Sequence, residues 1–338
     1  MQKHCFFPRR LRIVRIFLVA VALSLISTGC SEQKPKAQRV GILCGLHVFE
    51  TTVDGFKARM VELGYVEGKN ILYDVHMTNF DETAQERILR KFVSDGVDMI
   101  LVFPSEVAVA AKAITQGIDI PVVFCQTNIE GTDLVKSIPE PGGNITGVRY
   151  PGPDLALKRF EILRALAPQA KRIWVPYTTR APIVPPQLQV LRPAAAKAGV
   201  TLVEAPSDSA EELLADLEKR ANTADIGIDA ILFISEPLAR TPAVFPRIGK
   251  FASEHRIPIG GVLYSLEGYS TVFGVATDNI AVGRLAARQA HKVLKGISVG
   301  TIPVVSAESY FQLNYRVAQD LGLNVPEGLL RQADEILR

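Results

Sequence analysis

Histidine and cysteine are scarce in this chain, at five and four residues in 338. His4, His47, His76, His255 and His291 stand apart, and no two have the spacing of a metal-ligand pair. No strand is followed by G-x-G-x-x-G. The loop Gly64–Lys69 lacks both the spacing and the Ser or Thr of a phosphate-binding P-loop. A G-x-S-x-G elbow and an H-E-x-x-H helix are missing too. These absences lead to the expectation of no metal, no cofactor and no bond-making chemistry. A triad assembled only in space leaves no such trace, so an enzyme stays as the minor alternative.

Long apolar runs are also rare, and the one that exists is informative. Ile16–Ile26 is an apolar stretch of eleven residues, against the roughly 20 that a spanning helix needs. It follows a basic segment holding Lys3, Arg9, Arg10, Arg12 and Arg15, with no acid before Gly29. A basic head, a short apolar run and then small residues read as a secretory signal. Ser27-Thr28-Gly29-Cys30 resembles a bacterial lipobox, in which Cys30 is lipidated and becomes the mature N-terminus. Ser27 stands where such a motif usually has Leu. A plainly cleaved signal and an uncleaved anchor are the other readings. The polar stretch Ser31–Gln38 reads as a tether. Taking those five cations off the formal charge of +3 leaves −2. A faintly acidic body gives no reason to expect nucleic acid, which calls for clustered Lys and Arg.

Only Cys44 and Cys125 remain in the body. An oxidising compartment invites a disulfide. Both cysteines, however, close strands that are not expected to be neighbours, and a bridge needs Cα atoms within about 7 Å. Two buried thiols are the favoured reading.

The body itself, 48% hydrophobic and 22% charged over the whole chain, is that of a globular protein. Short β-branched runs alternate with helical stretches. Strands are expected at Arg39–Cys44, Asn70–Met77, Asp98–Phe103, Pro121–Cys125 and Thr146–Tyr150. Helices are expected at Asp54–Leu63, Ala84–Ser94 and Glu106–Thr115. After the Gly- and Pro-rich junction near residue 150 the pattern restarts. Strands follow at Arg172–Pro176, Thr201–Glu204, Ala230–Ile234, Pro258–Val262 and Thr271–Val275, with helices at Pro186–Ala198, Ser209–Ala221, Ala243–Glu254 and Val282–Leu294. The last 35 residues read as a strand and two short helices. Apolar strands separated by helices imply parallel sheets covered on both faces. The expected class is therefore α/β, with two doubly wound parallel-sheet lobes in series. Such sheets bind ligands at the carboxyl ends of their strands.

Several strings carry a family resemblance. They are Val40-Gly-Ile-Leu43, Gly55-Phe-Lys57, Leu63-Gly-Tyr-Val-Glu-Gly-Lys-Asn70, Val97-Asp-Met-Ile-Leu101 and Ile120-Pro-Val-Val-Phe124. Leu134-Val-Lys-Ser137, Pro141-Gly-Gly-Asn-Ile-Thr-Gly147, Leu321-Gly-Leu-Asn-Val-Pro326 and Leu330-Arg-Gln-Ala-Asp-Glu335 continue the series. Together they resemble the solute-binding lipoproteins of ABC transporters, in particular the tryptophan/phenylalanine-binding type, over residues 39–338. The resemblance implies a type I periplasmic-binding fold with three hinge crossovers. Residues 1–29 would be the signal, 30–38 the lipidated tether, 39–149 with 276–302 the first lobe, and 150–275 with 303–338 the second. It further implies a monomer, held at the membrane by the lipid on Cys30, that works in the periplasm with ABC permease and ATPase subunits. A ligand-sensing module for a membrane signalling partner is the alternative from a different class.

Strand ends then nominate the ligand site. In the first lobe these are Leu46 and His47; Ser105, a candidate N-cap, with Glu106; and Gln126, Thr127 and Asn128. In the second lobe they are Tyr177, whose ring suits stacking, Thr178, Ser235, Glu236 and Tyr264. Asp278 lies at the expected return crossover, in Thr277-Asp-Asn-Ile-Ala-Val-Gly283. The resemblance implies a small polar solute, with an aromatic or branched amino acid among the choices. One departure bears on it. After the Ile-Pro-Ile strand, amino-acid-binding members carry an acidic, Ser-rich loop, whereas this chain has Gly260-Gly-Val-Leu-Tyr-Ser265. Glu236 and Asp278 are then the main carboxylates left for an ammonium.

Overall fold

The computed structural model describes residues 1–2, 37–79 and 81–338. The expected signal, Cys30 and the tether as far as residue 36 lie outside the described residues.

From Gln38 the chain lays down β1 (Gln38–Cys44), α1 (Glu50–Glu62), β2 (Ile71–Met77), α2 (Glu82–Asp95), β3 (Met99–Phe103), α3 (Ser105–Ile114), β4 (Val122–Thr127) and β5 (Ile145–Arg149). Next come α4 (Gly152–Leu166), β6 (Arg172–Thr178), α5 (Val184–Lys197), β7 (Thr201–Ser207), α6 (Ala210–Ala221), β8 (Ala230–Leu232) and α7 (Phe245–Glu254). β9 (Ile259–Gly261), the small hairpin of β10 (Ser265–Leu266) and β11 (Tyr269–Ser270), and β12 (Phe273–Thr277) follow. The chain ends with α8 (Asn279–Leu294), β13 (Val305–Ser306), β14 (Ser309–Asn314), α9 (Tyr315–Asp320), α10 (Glu327–Gln332) and β15 (Glu335–Leu337).

Local chemistry explains most boundaries. The side chains of Asp81, Ser209 and Asp278 accept from Ala84, Glu212 and Ala281 amides and so cap α2, α6 and α8. Helix α4 has no counterpart in the expected alternation, where Tyr150-Pro-Gly-Pro153 reads only as a junction. Pro153 falls in its first turn, where a missing N–H costs nothing, so the same string also opens a helix.

The first sheet has the order β13-β5-β4-β3-β1-β2 and the second β15-β14-β12-β9-β8-β6-β7. The first is parallel throughout; in the second, β14 runs antiparallel to β12. Each sheet is buried on both faces. One apolar cluster built on Ile42, Phe56 and Leu101 and another on Leu43, Phe92 and Phe124 sandwich the first sheet. Clusters around Phe160 and Phe273 and around Trp174 and Phe245 do the same for the second.

The chain passes between sheets three times, from β5 to α4, from β12 to α8 and from β13 to β14. The last passage comes after Ser306 and not near 303, because Val305 and Ser306 still pair with Val148 and Arg149 of β5. Helix α8 belongs with the first sheet. Its Val282, Ala286 and Ala290 share a core with Val53, Phe56 and Met60 of α1. Cys44 and Cys125 are both free and buried, on strands separated by β3. Burial pushes the Cys44 thiol up to about 11, against a hydrogen bond to Leu46.

The α1–α8 contact is close enough to require glycine on both sides. A Cβ on Gly283 would stand 2.0 Å from the Thr52 carbonyl oxygen, and one on Gly55 would stand 2.2 Å from that of Ile280. Gly283→Ala is therefore expected to lower stability by about 1–3 kcal/mol through forced separation of the helices, despite Ala's better helix propensity. Urea unfolding of the variant measures this; a neutral or stabilising result would mean that the helices part freely.

Candidate functional site

In an open parallel sheet the crevice forms where strand order reverses, since loops on the two sides of that point leave toward opposite faces. The first sheet reverses between β1 and β3, and the second between β6 and β8. Leu46 and His47 therefore lie on one side of the first crevice and Ser105 on the other. Thr178 and Ser235-Glu236 flank the second.

His47 is exposed, within 4.0 Å of Glu50, and Leu46 opens the short 3-10 turn His47–Phe49. Ser105 does not cap α3. Pro104 holds that place, and the Ser105 hydroxyl instead accepts from the Asn128 amide at 2.9 Å. That bond ties the end of β3 to the end of β4. Glu106 lies exposed in the first turn of α3.

Gln126, Thr127 and Asn128 are all buried. The Thr127 hydroxyl turns back to the Cys125 carbonyl at 2.7 Å. The Asn128 side-chain nitrogen donates to the Glu130 carbonyl at 2.9 Å, and its Oδ1 is buried without a partner among the described residues. Gln126 is the exceptional one. Its φ of 48° lies in the left-handed region, at an irregularity in the β4–β5 register. Its Nε2 donates to Asn279 Oδ1 at 2.7 Å and its Oε1 accepts from the Thr277 hydroxyl at 2.9 Å. Asn279 in turn donates to the Val48 carbonyl at 2.8 Å. The strand ends of the first lobe are thus stitched to the second crossover. Asp278, between these partners, is exposed; one carboxylate oxygen caps α8 through the Ala281 amide at 2.6 Å.

In the second lobe two expectations are corrected. Tyr177 is not a stacking surface: its ring is 8% exposed and packs in the apolar core, and its hydroxyl donates to Glu204 at 2.9 Å. Glu236 is not open to an ammonium either. Its Oε1 accepts from the Ala239 amide, and its Oε2 from the Leu238 and Thr178 amides, at 2.8, 2.8 and 3.2 Å. It fixes the 3-10 turn Leu238–Arg240 against the end of β6. Tyr264 is half-buried, with its ring edge-on to Phe245 at 4.7 Å.

Three residues outside the sequence reading complete this face. Arg159 of α4, 1% exposed, donates through Nε and Nη2 to the Val275 carbonyl, through Nη1 to Ser235 Oγ and through Nη2 to the Tyr150 hydroxyl. Tyr150 also bonds Ser235 Oγ at 2.7 Å, while its backbone amide donates to Thr127 of the first lobe. Arg240 donates through Nε and Nη2 to the Glu236 carbonyl. The only advance signals were an Arg beside a Lys on an unassigned segment and an Arg four residues after a strand-end Glu.

A depression of about 440 Å³ lined by Tyr315, Gln319, Leu330 and Ile336 lies elsewhere, where β14 and β15 end away from the crossovers. Among the described residues no group of acids, His and Cys could hold a metal, and no helix is long and apolar enough to cross a membrane.

A two-lobed α/β body whose strand-end faces border three shared crossovers is the architecture of a solute-binding protein. A family model described as ABC transporter substrate binding protein matches residues 47–337. The chain belongs to this family. It is 28% identical over 320 residues to a tyrosine-binding protein of Clostridioides difficile (strain R20291), covering 88% of each chain. Among solved structures it is similar to an ABC domain in complex with L-Trp from Streptococcus pneumonia, with a TM-score of 0.74, 23% identity, and coverage of 89% of this chain and 100% of that one. A ligand-free, open substrate-binding protein with adhesive properties from Clostridium difficile gives a TM-score of 0.73, 24% identity, and coverage of 89% and 99%. At such identities the structural likeness establishes the fold, that of type I periplasmic binding proteins.

Burial raises the Glu236 pKa, opposed by its three backbone donors and by Arg240. A raised folded-state pKa means a stabilising contribution that is complete below the unfolded value, near 4.5, and lost as pH rises through the folded one. The stability of the wild type relative to Glu236→Gln is therefore expected to fall as pH climbs from 4 to 7. Urea titrations at four pH values test this. A constant difference would show that the carboxylate titrates as it does in the unfolded chain.

Proposed function

We propose that this chain is the extracytoplasmic solute-capture subunit of an ABC importer, anchored by lipid on Cys30, and that its two lobes close over a small solute of the aromatic amino-acid class. The observation that carries the reading is that the loops beside both strand-order reversals are bonded to crossovers, Val48 after β1 to Asn279 and Ser235 after β8 to Tyr150. The tyrosine- and L-Trp-binding descriptions of the relatives support the ligand class. The protein works as a monomer that passes the solute to permease and ATPase subunits, and it makes and breaks no bond.

The ligand site comprises Leu46, His47, Ser105, Glu106, Gln126, Thr127 and Asn128 from the first lobe and Thr178, Ser235, Tyr264 and Asp278 from the second lobe and crossover. Hinges of this kind act through a few element-terminal residues, here Tyr150–Gly152, Thr277–Asn279 and Ser306–Ser309. A solute touching both lobes shifts the population toward the closed form by its preference for that form. The remaining carboxylate oxygen of Asp278 is the acceptor for an ammonium.

Thermal-shift and calorimetric titration with L-tyrosine, L-tryptophan and L-phenylalanine tests the class. Ligand at a hundred times its Kd is expected to stabilise the protein by about 2.7 kcal/mol, with glycerol and myo-inositol silent. A response to the polyols alone would replace the amino-acid class with a sugar-like one. Asp278→Asn keeps an acceptor for the Ala281 amide and removes the charge. It is expected to weaken amino-acid binding with little change in melting temperature, and unchanged affinity in calorimetry would remove Asp278 from the site.

A further inference from the structure

We propose that Arg240 is the anion-binding residue of the cleft, so that the solute must carry a carboxylate, while its ammonium, held by Asp278 at the crossover, adds to the affinity without being required. The proposal rests on the amino-acid-class reading above and divides that class by charge. Nε and Nη2 of Arg240 are committed to the Glu236 carbonyl at 3.3 and 2.8 Å, whereas Nη1 has no protein acceptor among the described residues. The side chain is half-buried, with part of it still open to solvent. Its charged and polar neighbours are Glu236, Arg159, Tyr150 and Tyr264. They come from the ends of β8 and β9 and from the first crossover, so the free nitrogen belongs to the strand-end face of the second lobe.

Charge balance on this face points to an anion. Arg159 is buried and bonded only to neutral oxygens. Two guanidinium groups therefore share a single carboxylate, Glu236, and that carboxylate is already held by three backbone amides. Buried cations are ordinarily paired with an anion. Burial and the Arg159 charge both act against the Arg240 guanidinium, with Glu236 acting for it. A solute carboxylate supplies the missing charge, and a planar guanidinium with a free N–H suits it better than an ammonium would. No carboxylate on this face is left over for an α-ammonium.

The experiment is calorimetric titration of the wild type, Arg240→Gln and Arg240→Lys with three matched sets of probes. These are tyrosine, tryptophan and phenylalanine; their decarboxylated amines; and their deaminated propionic acids. Amino acids and propionic acids are expected to bind the wild type and the amines not to. Arg240→Gln is expected to weaken the carboxylate probes about ten- to a hundredfold, with Arg240→Lys retaining part of the affinity. The melting temperature of ligand-free Arg240→Gln is expected to hold or rise, because an unpaired cation is gone; a fall of many degrees would mark Arg240 as structural and overturn the proposal. Amines binding as well as amino acids, or undiminished carboxylate binding by Arg240→Gln, would overturn it while leaving the amino-acid reading standing. Propionic acids binding without any amino acid would uphold Arg240 and end the amino-acid reading. Silence from every probe would overturn both.

Discussion

A buried guanidinium without a carboxylate, that of Arg159, lies beneath the strand-end face of the second lobe, and much of that face is arranged around it. Taking a cation out of water costs several kcal/mol unless hydrogen bonds replace its hydration. Arg159 obtains them from the Val275 carbonyl, the Ser235 hydroxyl and the Tyr150 hydroxyl. Those acceptors belong to the end of β12, the end of β8 and the first crossover. Moving any one of them strands a buried charge, so the three are held as a unit. Gln187 extends the unit by exchanging two hydrogen bonds with the Ser235 backbone. The second lobe thus presents a preorganised wall.

The first lobe meets that wall through a more adjustable joint. Gln126 adopts a backbone conformation that a non-glycine residue enters at a cost of about 1–3 kcal/mol. Its two side-chain bonds to Thr277 and Asn279 offset that cost. Both partners lie at the second crossover, where the chain changes lobes. A strained residue bonded to a hinge is a place where a small change in lobe angle alters the energy. Other cross-lobe bonds gather at the first crossover, where Arg149 donates to Asp154 and the Tyr150 amide to the Thr127 carbonyl. The crossovers are thus the joints between two sheets, each of them buried on both faces and packed as a unit.

The alternation of strands and helices was legible because its physical cause is local. Parallel strands buried on both faces must be apolar throughout, as β3 is, and such runs are visible in a sequence. The family strings were legible too, and the structure shows why they are structural. Asn144 joins the Thr115 and Ile120 carbonyls, Thr146 donates to the Ile302 carbonyl, and a Cβ at Gly147 would fall 2.0 Å from the Phe124 carbonyl oxygen. Asn70 closes the Gly64–Asn70 loop on itself through the Val66 amide and the Gly64 carbonyl. Side-chain roles at the strand ends were less legible. Ser105, Tyr177 and Glu236 each have a chemistry suited to a ligand, and each spends it within the protein: Ser105 and Tyr177 on partners 23 and 27 positions away, Glu236 on amides 2, 3 and 58 positions away. Arg159 was hidden for the same reason, since its acceptors lie 76 and 116 positions further on.

Glu236 and Arg240 make the point most sharply, because four positions apart they exchange the roles their charges suggest. A carboxylate at a strand end is the natural partner for an ammonium, yet two amides of the following turn and one from the end of β6 consume it. The turn it stabilises is the one that carries Arg240, so the capped acid places the free cation. With Arg159 buried behind, the wall of the second lobe has a fixed surplus of positive charge that no rearrangement of neutral Ser, Thr or Tyr neighbours removes. At the strand ends of the first lobe Ser105, Gln126 and Thr127 are bonded to protein partners, whereas Asn128 Oδ1 is buried without one among the described residues. Under the role proposed for Arg240, the second lobe therefore selects a solute by its charge, and selection by outline falls to the first.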